Sequence, residues 1–210
     1  MRIKGERKYK LIVRLFNWVF KVIQKYTVIN KEILPQENGL IFIINHRDYY
    51  DIPIVFSILG TRPIHALIKA ELQKEIAGKI ISLMGAVFVD RENPQSRREA
   101  KEKLTSLVLE NRNILIAPEG TRNKTDDLLL PFKGRGAVRI AQKTGRPIIP
   151  FAISKHKTKR KNKIVQICAP YFVKPDDDLN EANKILHKIL YDALLKNEDI
   201  LKNESRVVTK

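Results

Sequence analysis

After Pro35 the chain alternates between short apolar runs and longer segments in which apolar residues recur at helical spacing. A run that is apolar at consecutive positions is typical of a strand buried on both faces of a sheet. Strands that alternate with helices indicate a layered α/β domain, in which a largely parallel, mixed β-sheet is flanked by helices. The strands are predicted at residues 40–44, 64–68, 86–89, 114–117, 148–153, 164–167 and 171–173.

The helices are predicted from periodicity and from end signals. The clearest start is Asn93, a residue suited to the N-cap, with Pro94 after it at the first helical position. No repeat and no Gly/Ser linker divides the chain, so residues 31–200 are predicted to form one domain, with a polar tail at 201–210. The predicted helices are residues 52–59, 71–84, 94–110, 136–144 and 179–196.

Residues 1–30 have a different pattern. Lys10, Arg14, Asn17 and Lys21 recur at spacings of three and four, and most positions between them are apolar, including Trp18. An amphipathic helix of this kind suits the plane of a membrane interface. The alternative is a helix packed on the protein's own core with its cations in solvent. We predict a membrane-attachment segment, because so wide an apolar face is hard to cover in a small domain. No stretch reaches the roughly 20 apolar residues of a spanning helix.

The charge balance is strongly basic, with 40 Lys and Arg against 23 Asp and Glu and a formal net charge of +17. Such a charge indicates nucleic acid, an anionic membrane surface or a phosphorylated substrate as partner, and composition does not choose among them. The single cysteine, Cys168, excludes an intramolecular disulfide and paired-cysteine zinc sites. Neither GxxxxGK[ST] nor GxGxxG occurs, so the common nucleotide-binding loops are not supported.

One candidate base follows the first predicted strand, in INHRDYYD at residues 44–51. An aspartate that accepts a hydrogen bond from one imidazole nitrogen of His46 would leave the other nitrogen free as a base. Spacing alone does not decide whether Asp48 or Asp51 is that aspartate. The sequence has no GxSxG motif, so we expect the base to act on a hydroxyl of the substrate.

Candidate phosphate ligands follow other predicted strands. Arg91 ends GAVFVDR, and Arg122 ends APEGTR, where Gly120 permits close approach of the backbone and Thr121 adds a donor. Ligands of open parallel sheets bind at the carboxyl ends of the strands, and two arginines there suit a phosphate. Lys133 and Arg135 come just before a predicted helix whose N-terminus can attract an anion.

These segments together resemble the motifs of the glycerolipid acyltransferase family, specifically the 1-acyl-glycerol-3-phosphate acyltransferases. The first family motif, NHxxxxD, is present as NHRDYYD, and the third, (F/V)PEGTR, as APEGTR with Ala117 at its first position. The second motif, a glycine and an apolar strand that ends in arginine, corresponds to residues 85–91. The fourth, an apolar strand around a proline, corresponds to residues 147–153. The resemblance covers residues 40–153.

The resemblance implies transfer of a fatty acyl group from acyl-CoA or an acyl carrier protein thioester to the sn-2 hydroxyl of 1-acyl-sn-glycerol 3-phosphate, which gives phosphatidic acid. It implies that His46 is the general base and Asp51 orients it, without an acyl-enzyme, a metal or a cofactor. The segment FKGRG is one residue longer than the family's usual FKxG, so Lys133 and Arg135 both stay open for the phosphate-side role. The implied phosphate-binding residues are Arg91, Glu119, Gly120, Thr121, Arg122 and Lys133.

The resemblance also implies a place in the cell, the cytoplasmic face of the bacterial membrane, with residues 1–30 on the anionic surface. The basic run at residues 155–163 is predicted to lie either against lipid headgroups or in solvent.

Three alternatives to this function stay open. Glycerol 3-phosphate or another lysophospholipid could be the acceptor. A basic nucleic-acid-binding protein belongs to a different class, but aromatic residues do not interleave the basic run and no motif of that class is present. A catalytically silent membrane-surface protein is disfavoured by the intact His46 and Asp51.

Overall fold

The computed structural model describes residues 11, 14, 25–74, 78, 81–82, 85–154 and 163–207. Within these residues, seven strands form one sheet in the order β1-β7-β6-β2-β5-β3-β4. The strands are Tyr26–Ile29 (β1), Ile41–Ile44 (β2), Ile64–Lys69 (β3), Val87–Val89 (β4), Asn113–Ile116 (β5), Ile148–Ile153 (β6) and Lys163–Ile167 (β7).

The direction of the strands decides where the site can lie. The five strands β6, β2, β5, β3 and β4 are parallel, with Ile41 of β2 opposite both Ile114 and Ile148. Strands β1 and β7 are parallel to each other, and β7 is antiparallel to β6. The start of β7 therefore lies at the same edge of the sheet as the carboxyl ends of β2, β4, β5 and β6.

Helices cover both faces of the sheet. They are Asp51–Leu59 (α1), Pro94–Leu109 (α2), Gly136–Thr144 (α3) and Leu179–Val207 (α4), with short 3-10 helices at Lys31–Ile33 and Ala70–Lys74. Side chains of β2 alternate between the two faces: Phe42 packs in one apolar cluster with Ile54 of α1, and Ile43 packs in the other with Leu104 of α2 and Val138 of α3. Because both faces are covered, the central strands β2 and β6 are apolar at every position.

A third apolar cluster holds α4 against the end of the sheet. Leu190 and Leu194 pack with Leu129, Ala152 and Cys168. Asn197, which is also buried, donates its side-chain amide to the carbonyl of Ala152 at 2.9 Å. The apolar face of α4 and this buried amide together hold α4 on β6. The same cluster includes Leu129, which lies in the loop that precedes α3.

The predicted α/β fold with a largely parallel, mixed sheet flanked by helices is confirmed. The cap of α2 is also as predicted, since the Asn93 side chain accepts hydrogen bonds from the backbone of Gln95 and Ser96. In the described residues no helix is both long and apolar enough to cross a bilayer. The predicted membrane-attachment helix falls outside the described residues apart from Leu11 and Arg14, as does most of the basic run.

Several predicted boundaries are wrong. Residues 26–29 form β1 and pair with β7, so the sheet includes residues that were assigned to the N-terminal segment. Helix α4 continues to Val207, so the predicted polar tail is helical from residue 201 to residue 207. The predicted strand at 171–173 is a single bridge between Tyr171 and Ile148, and residues 70–74 form a 3-10 helix. β1 is missed because it is an edge strand with one paired neighbour and no alternating apolar pattern.

Candidate active site

The predicted base and its aspartate lie on opposite sides of one tight turn. Strand β2 ends at Ile44, and Asn45 is held by two hydrogen bonds with the backbone of Ile153, at 2.9 and 2.7 Å, so the turn starts at a fixed place beside β6. Asp51 is the first residue of α1. Its Oδ2 lies 3.4 Å from Nδ1 of His46, whose side chain is 18% exposed. The structure thus selects Asp51 over Asp48 as the neighbour of the imidazole.

The Asp51 carboxylate is buried and fully engaged. Its Oδ2 also accepts hydrogen bonds from the backbone of Arg47 at 2.7 Å and of Asp48 at 2.6 Å. Its Oδ1 lies 2.7 Å from Nζ of Lys163. Burial alone would raise the pKa of Asp51, but hydrogen bonds with His46 and the charge of Lys163 outweigh burial and hold this pKa below its usual value. Asp51 is therefore an anion at neutral pH, and the Nδ1 of His46 that faces it carries a proton.

Glu119 supports His46 from the second loop. The Glu119 side chain is fully buried; its Oε1 accepts from the backbone of His46 at 2.7 Å and its Oε2 from the backbone of Leu130 at 2.9 Å. The backbone of Asn123 donates to the His46 carbonyl at 2.7 Å. Burial raises the pKa of Glu119, although both backbone hydrogen bonds act in the opposite direction. Glu119 was predicted among the phosphate ligands; in the structure its carboxylate contacts the backbone of His46 and Leu130, and its part in phosphate binding stays a prediction.

Arg91 and Lys133 meet at the glycine of the same loop. The guanidinium of Arg91 donates to the carbonyl of Gly120. Gly120 has φ +67°, and a Cβ there would lie 3.1 Å from the Lys133 side chain. The backbone of Lys133 donates to the Pro118 carbonyl at 3.0 Å. A glycine at this position therefore satisfies both the left-handed conformation and the close approach of the aliphatic part of the Lys133 side chain.

Arg122 extends from the end of this loop over the turn that carries the base. Its guanidinium carbon lies 3.6 Å from the centre of the Tyr49 ring, which is a favourable cation–π arrangement. Tyr49 is itself 71% exposed, and Thr121 is exposed beside Arg122, so both lie at a surface that a ligand can reach. Arg135, in contrast, donates to the side chain of Asn180 at 3.0 Å, at the start of α4. Of the two basic residues left open, Lys133 is the one in contact with the Gly120 loop.

Sequence reasoning missed two charged residues of the site. The guanidinium of Arg47 donates to the carbonyls of Thr125, Asp127 and Leu128 at 2.6 to 3.0 Å, which ties the loop after Arg122 to the base turn. Lys163 was assigned to a basic run in solvent or against headgroups. This prediction is wrong for Lys163, whose side chain is 5% exposed and paired with Asp51. The only signal in the sequence is that Lys163 directly precedes an apolar strand.

The assembled side chains bring the imidazole of His46 beside a cationic surface. With Nδ1 of His46 facing Asp51, Nε2 is the nitrogen that can take a proton from a group placed next to it. The loop of residues 117–122 contacts His46 through Glu119 and the cations Arg91 and Lys133 through Gly120. Within the ranges that the structure describes, no three His, Cys, Asp or Glu side chains gather as they would around a metal ion. The chemistry available from these groups is proton transfer next to a bound anion.

Comparison with known proteins gives relatives named 1-acyl-sn-glycerol-3-phosphate acyltransferase. The chain is 30% identical over 178 residues to a 1-acyl-sn-glycerol-3-phosphate acyltransferase of Cocos nucifera, with 79% of this chain and 57% of the relative covered. It is 32% identical to the enzyme of that name from Borreliella burgdorferi, covering 61% of this chain and 51% of the relative. The chain thus spans about half the length of these two relatives. For the Bacillus subtilis enzyme of the same name, identity is 31%, with 69% of this chain and 70% of the relative covered.

Two further comparisons concern the fold and the family. The crystal structure of the 1-acyl-sn-glycerophosphate acyltransferase PlsC from Thermotoga maritima superposes with a TM-score of 0.74 at 24% identity, covering 93% of this chain and 83% of that one. It shares the α/β fold. The family model named Acyltransferase matches residues 25–154, which include the base turn, the Gly120 loop and β6. Since that match spans more than half of the chain, the protein belongs to the Acyltransferase family.

Proposed function

We propose that the protein transfers an acyl group from an acyl thioester to the sn-2 hydroxyl of 1-acyl-sn-glycerol 3-phosphate, forming phosphatidic acid. Membership of the family and the names of the relatives support this reaction. The observation that carries the proposal is the arrangement of the site: one loop contacts the backbone of His46 and, through Gly120, the cations Arg91 and Lys133. A hydroxyl beside a phosphate is the substrate that such a site suits.

In the proposed reaction, Nε2 of His46 takes the proton of the acceptor hydroxyl as its oxygen attacks the thioester carbonyl. A C–O bond forms, the C–S bond breaks, and the thiolate leaves with the proton that the imidazolium returns. Asp51, an anion in contact with Nδ1, stabilises the transient positive charge on the ring.

The transfer is proposed to be direct, without an acyl-enzyme. The sole cysteine, Cys168, is a poor nucleophile, because burial raises its pKa to about 12 and it packs in the apolar cluster beneath α4. The motifs themselves contain no serine that could replace it. The base is therefore left to activate the hydroxyl of the acceptor.

The phosphate of the acceptor is proposed to bind at the cations around the Gly120 loop. Arg91 uses one guanidinium nitrogen on the Gly120 carbonyl, which leaves the others for a ligand, and Arg122 is held over the Tyr49 ring. A guanidinium group can donate two parallel hydrogen bonds to two phosphate oxygens. Thr121 directly precedes Arg122, and the Lys133 side chain lies beside Gly120, so both are placed to add donors. Such a site fixes the hydroxyl at a set distance from the phosphate, which favours one acceptor position over another.

Attachment to a membrane is part of the proposal, because both acceptor and product are lipids. Residues 1–30 carry the amphipathic pattern, and the net charge of +17 favours an anionic surface. We place the protein on the cytoplasmic face, where acyl-CoA and acyl carrier protein thioesters are the donors to be compared.

Purified protein on anionic liposomes, supplied with 1-oleoyl-glycerol 3-phosphate and a labelled acyl thioester, tests the proposal. Formation of labelled phosphatidic acid is expected, and parallel reactions with acyl-CoA and acyl carrier protein thioester give the preferred donor. Glycerol 3-phosphate and lysophosphatidylcholine serve as alternative acceptors. Product from either of these, with none from 1-oleoyl-glycerol 3-phosphate, would refute the acceptor assignment, and no transfer to any acceptor would refute the activity.

A further inference from the structure

Lys163 contacts Asp51, the partner of the proposed base His46, although it lies 112 residues after Asp51 in the chain. It is the first residue of β7, and β7 starts at the sheet edge where β2 ends. In the register of β1 and β7 it stands opposite Tyr26, whose hydroxyl is 2.7 Å from Oγ of Ser57 in α1. Strand β7, which carries Lys163, and helix α1, which carries Asp51, are therefore both in contact with β1.

The Lys163 ammonium divides its contacts between two carboxylates. Its Nζ lies 2.7 Å from Oδ1 of Asp51 and 3.4 Å from Oδ2 of Asp48. The Oδ1 contact leaves Oδ2 of Asp51 for the imidazole of His46 and for two backbone N–H groups. The ammonium thus fixes which carboxylate oxygen faces the imidazole.

The burial of this pair gives the lysine a second effect, on the charge of Asp51. The side chains of Asp51 and Lys163 are 1% and 5% exposed, and a carboxylate this deeply buried without a counter-charge tends to take up a proton. A protonated Asp51 would lose the charge that stabilises an imidazolium. The charge of Arg47 also acts on Asp51, and Asp48 lies 3.4 Å from the same ammonium, but among the described residues Lys163 is the cation in direct contact with the Asp51 carboxylate.

We propose that Lys163 is a positioning residue for the general base: its ammonium keeps Asp51 ionised and turned toward His46. The inference rests on the proposed function, because it concerns the base of that reaction. It extends the pair of His46 and Asp51 to a chain of three groups, with the third supplied by the antiparallel strand β7. A lysine that only fastened β7 to α1 would stabilise the fold and leave the pH dependence of catalysis unchanged.

The experiment compares Lys163→Met, which removes the charge, with Lys163→Arg, which keeps it. Lys188→Met is the matched control, since Lys188 is 75% exposed and pairs with Asp192 on the surface of α4. Phosphatidic acid formation is measured from pH 5 to 9 on liposomes. For Lys163→Met we expect the acidic limb of kcat to move to higher pH and kcat at pH 7 to fall about tenfold, which is part of the roughly 10²–10⁴-fold that a positioned base contributes. KM for the acceptor should stay within twofold, Lys163→Arg should keep most of kcat, and the control should match the wild type.

An acidic limb and kcat of Lys163→Met equal to those of the wild type would overturn the proposal. If Lys163→Met does not fold, the double variant Asp51→Asn/Lys163→Met is expected to fold, because neither charge is then left unpaired. A double variant that unfolds like the single variant would overturn the proposal, since packing alone would explain the loss. If the wild type forms no phosphatidic acid, the proposed function fails by itself. Additive unfolding free energies of Asp51→Asn and Lys163→Met would then refute the pairing as well.

Discussion

Substitution of Glu119 by glutamine tests whether the second loop holds the base in place. The glutamate offers two acceptor oxygens to two backbone N–H groups, those of His46 and Leu130. Glutamine keeps one oxygen and presents an amide N–H₂ group to the other N–H. One charge-assisted hydrogen bond is lost, and one buried N–H group is left without an acceptor.

The expected change in the free energy of unfolding follows from these two losses and from one gain. A hydrogen bond to a charged group contributes about 1.5–3 kcal/mol, and an orphaned buried donor costs about 1–3 kcal/mol. Burial raises the pKa of Glu119, so the carboxylate already costs folding free energy, and the neutral amide regains part of that cost. We expect a net loss of about 2–4 kcal/mol in the free energy of unfolding. We also expect kcat to fall by about 100-fold, the scale of a catalytic group displaced by an ångström.

Urea unfolding followed by circular dichroism, and phosphatidic acid formation on liposomes, measure the two effects. Glu102→Gln is the matched control, because Glu102 is exposed on α2 and its substitution should change stability by less than about 0.5 kcal/mol. A Glu119→Gln variant with the stability and kcat of that control would refute the positioning role of Glu119.

Three further predictions concern the loop, the buried carboxylate and the phosphate site. Gly120→Ala and Gly145→Ala both place a side chain at a left-handed φ, +67° and +64°, so each should lose about 1–2 kcal/mol in urea unfolding, but only Gly120→Ala should raise KM for the acceptor. Equal KM values would exclude close approach at Gly120. Because the pKa of Asp51 is lowered on folding, the stability that this carboxylate contributes is complete above the unfolded pKa of roughly 3.9 and is lost as pH falls through the lower folded value. Urea unfolding between pH 5 and 2 should therefore show that Asp51→Asn loses less unfolding free energy on acidification than the wild type. Equal losses in the two proteins would contradict this. Arg122→Lys should raise KM for the acceptor about tenfold with Arg98→Lys as surface control, and an unchanged KM would remove Arg122 from the phosphate site.

The fold and the main site could be predicted because both depend on local patterns. Strands buried on both faces produce short apolar runs, and parallel strands bring the residues after them to one edge. For this reason His46, Arg91 and Arg122 could be expected together from three separate segments. The turn between β2 and α1 is also local, so both Asp48 and Asp51 could be expected near His46, and the choice of Asp51 came from the resemblance to NHxxxxD.

The residues that were missed depend on pairing across long stretches of sequence. Lys163 reaches Asp51 because β7 reverses direction after β6, and no pattern in a run of basic residues distinguishes its last, buried lysine from the others. β1 is recognisable from its partner strand and not from its own four residues. Glu119 was assigned to the phosphate site because the resemblance to the family's third motif implied it. Its actual partners are backbone N–H groups, which a sequence does not mark.

In the proposed reaction, His46 is the base of acyl transfer to 1-acyl-sn-glycerol 3-phosphate. Its most direct test is the single-turnover rate of phosphatidic acid formation by His46→Ala on liposomes, at saturating acyl thioester and pH 7. We predict a rate about 10²–10⁴-fold below that of the wild type in a variant that is folded, with a lower unfolding midpoint from the lost hydrogen bond with Asp51 and with unchanged binding of the acceptor. A rate within threefold of the wild type, in a variant shown to be folded, would contradict the account.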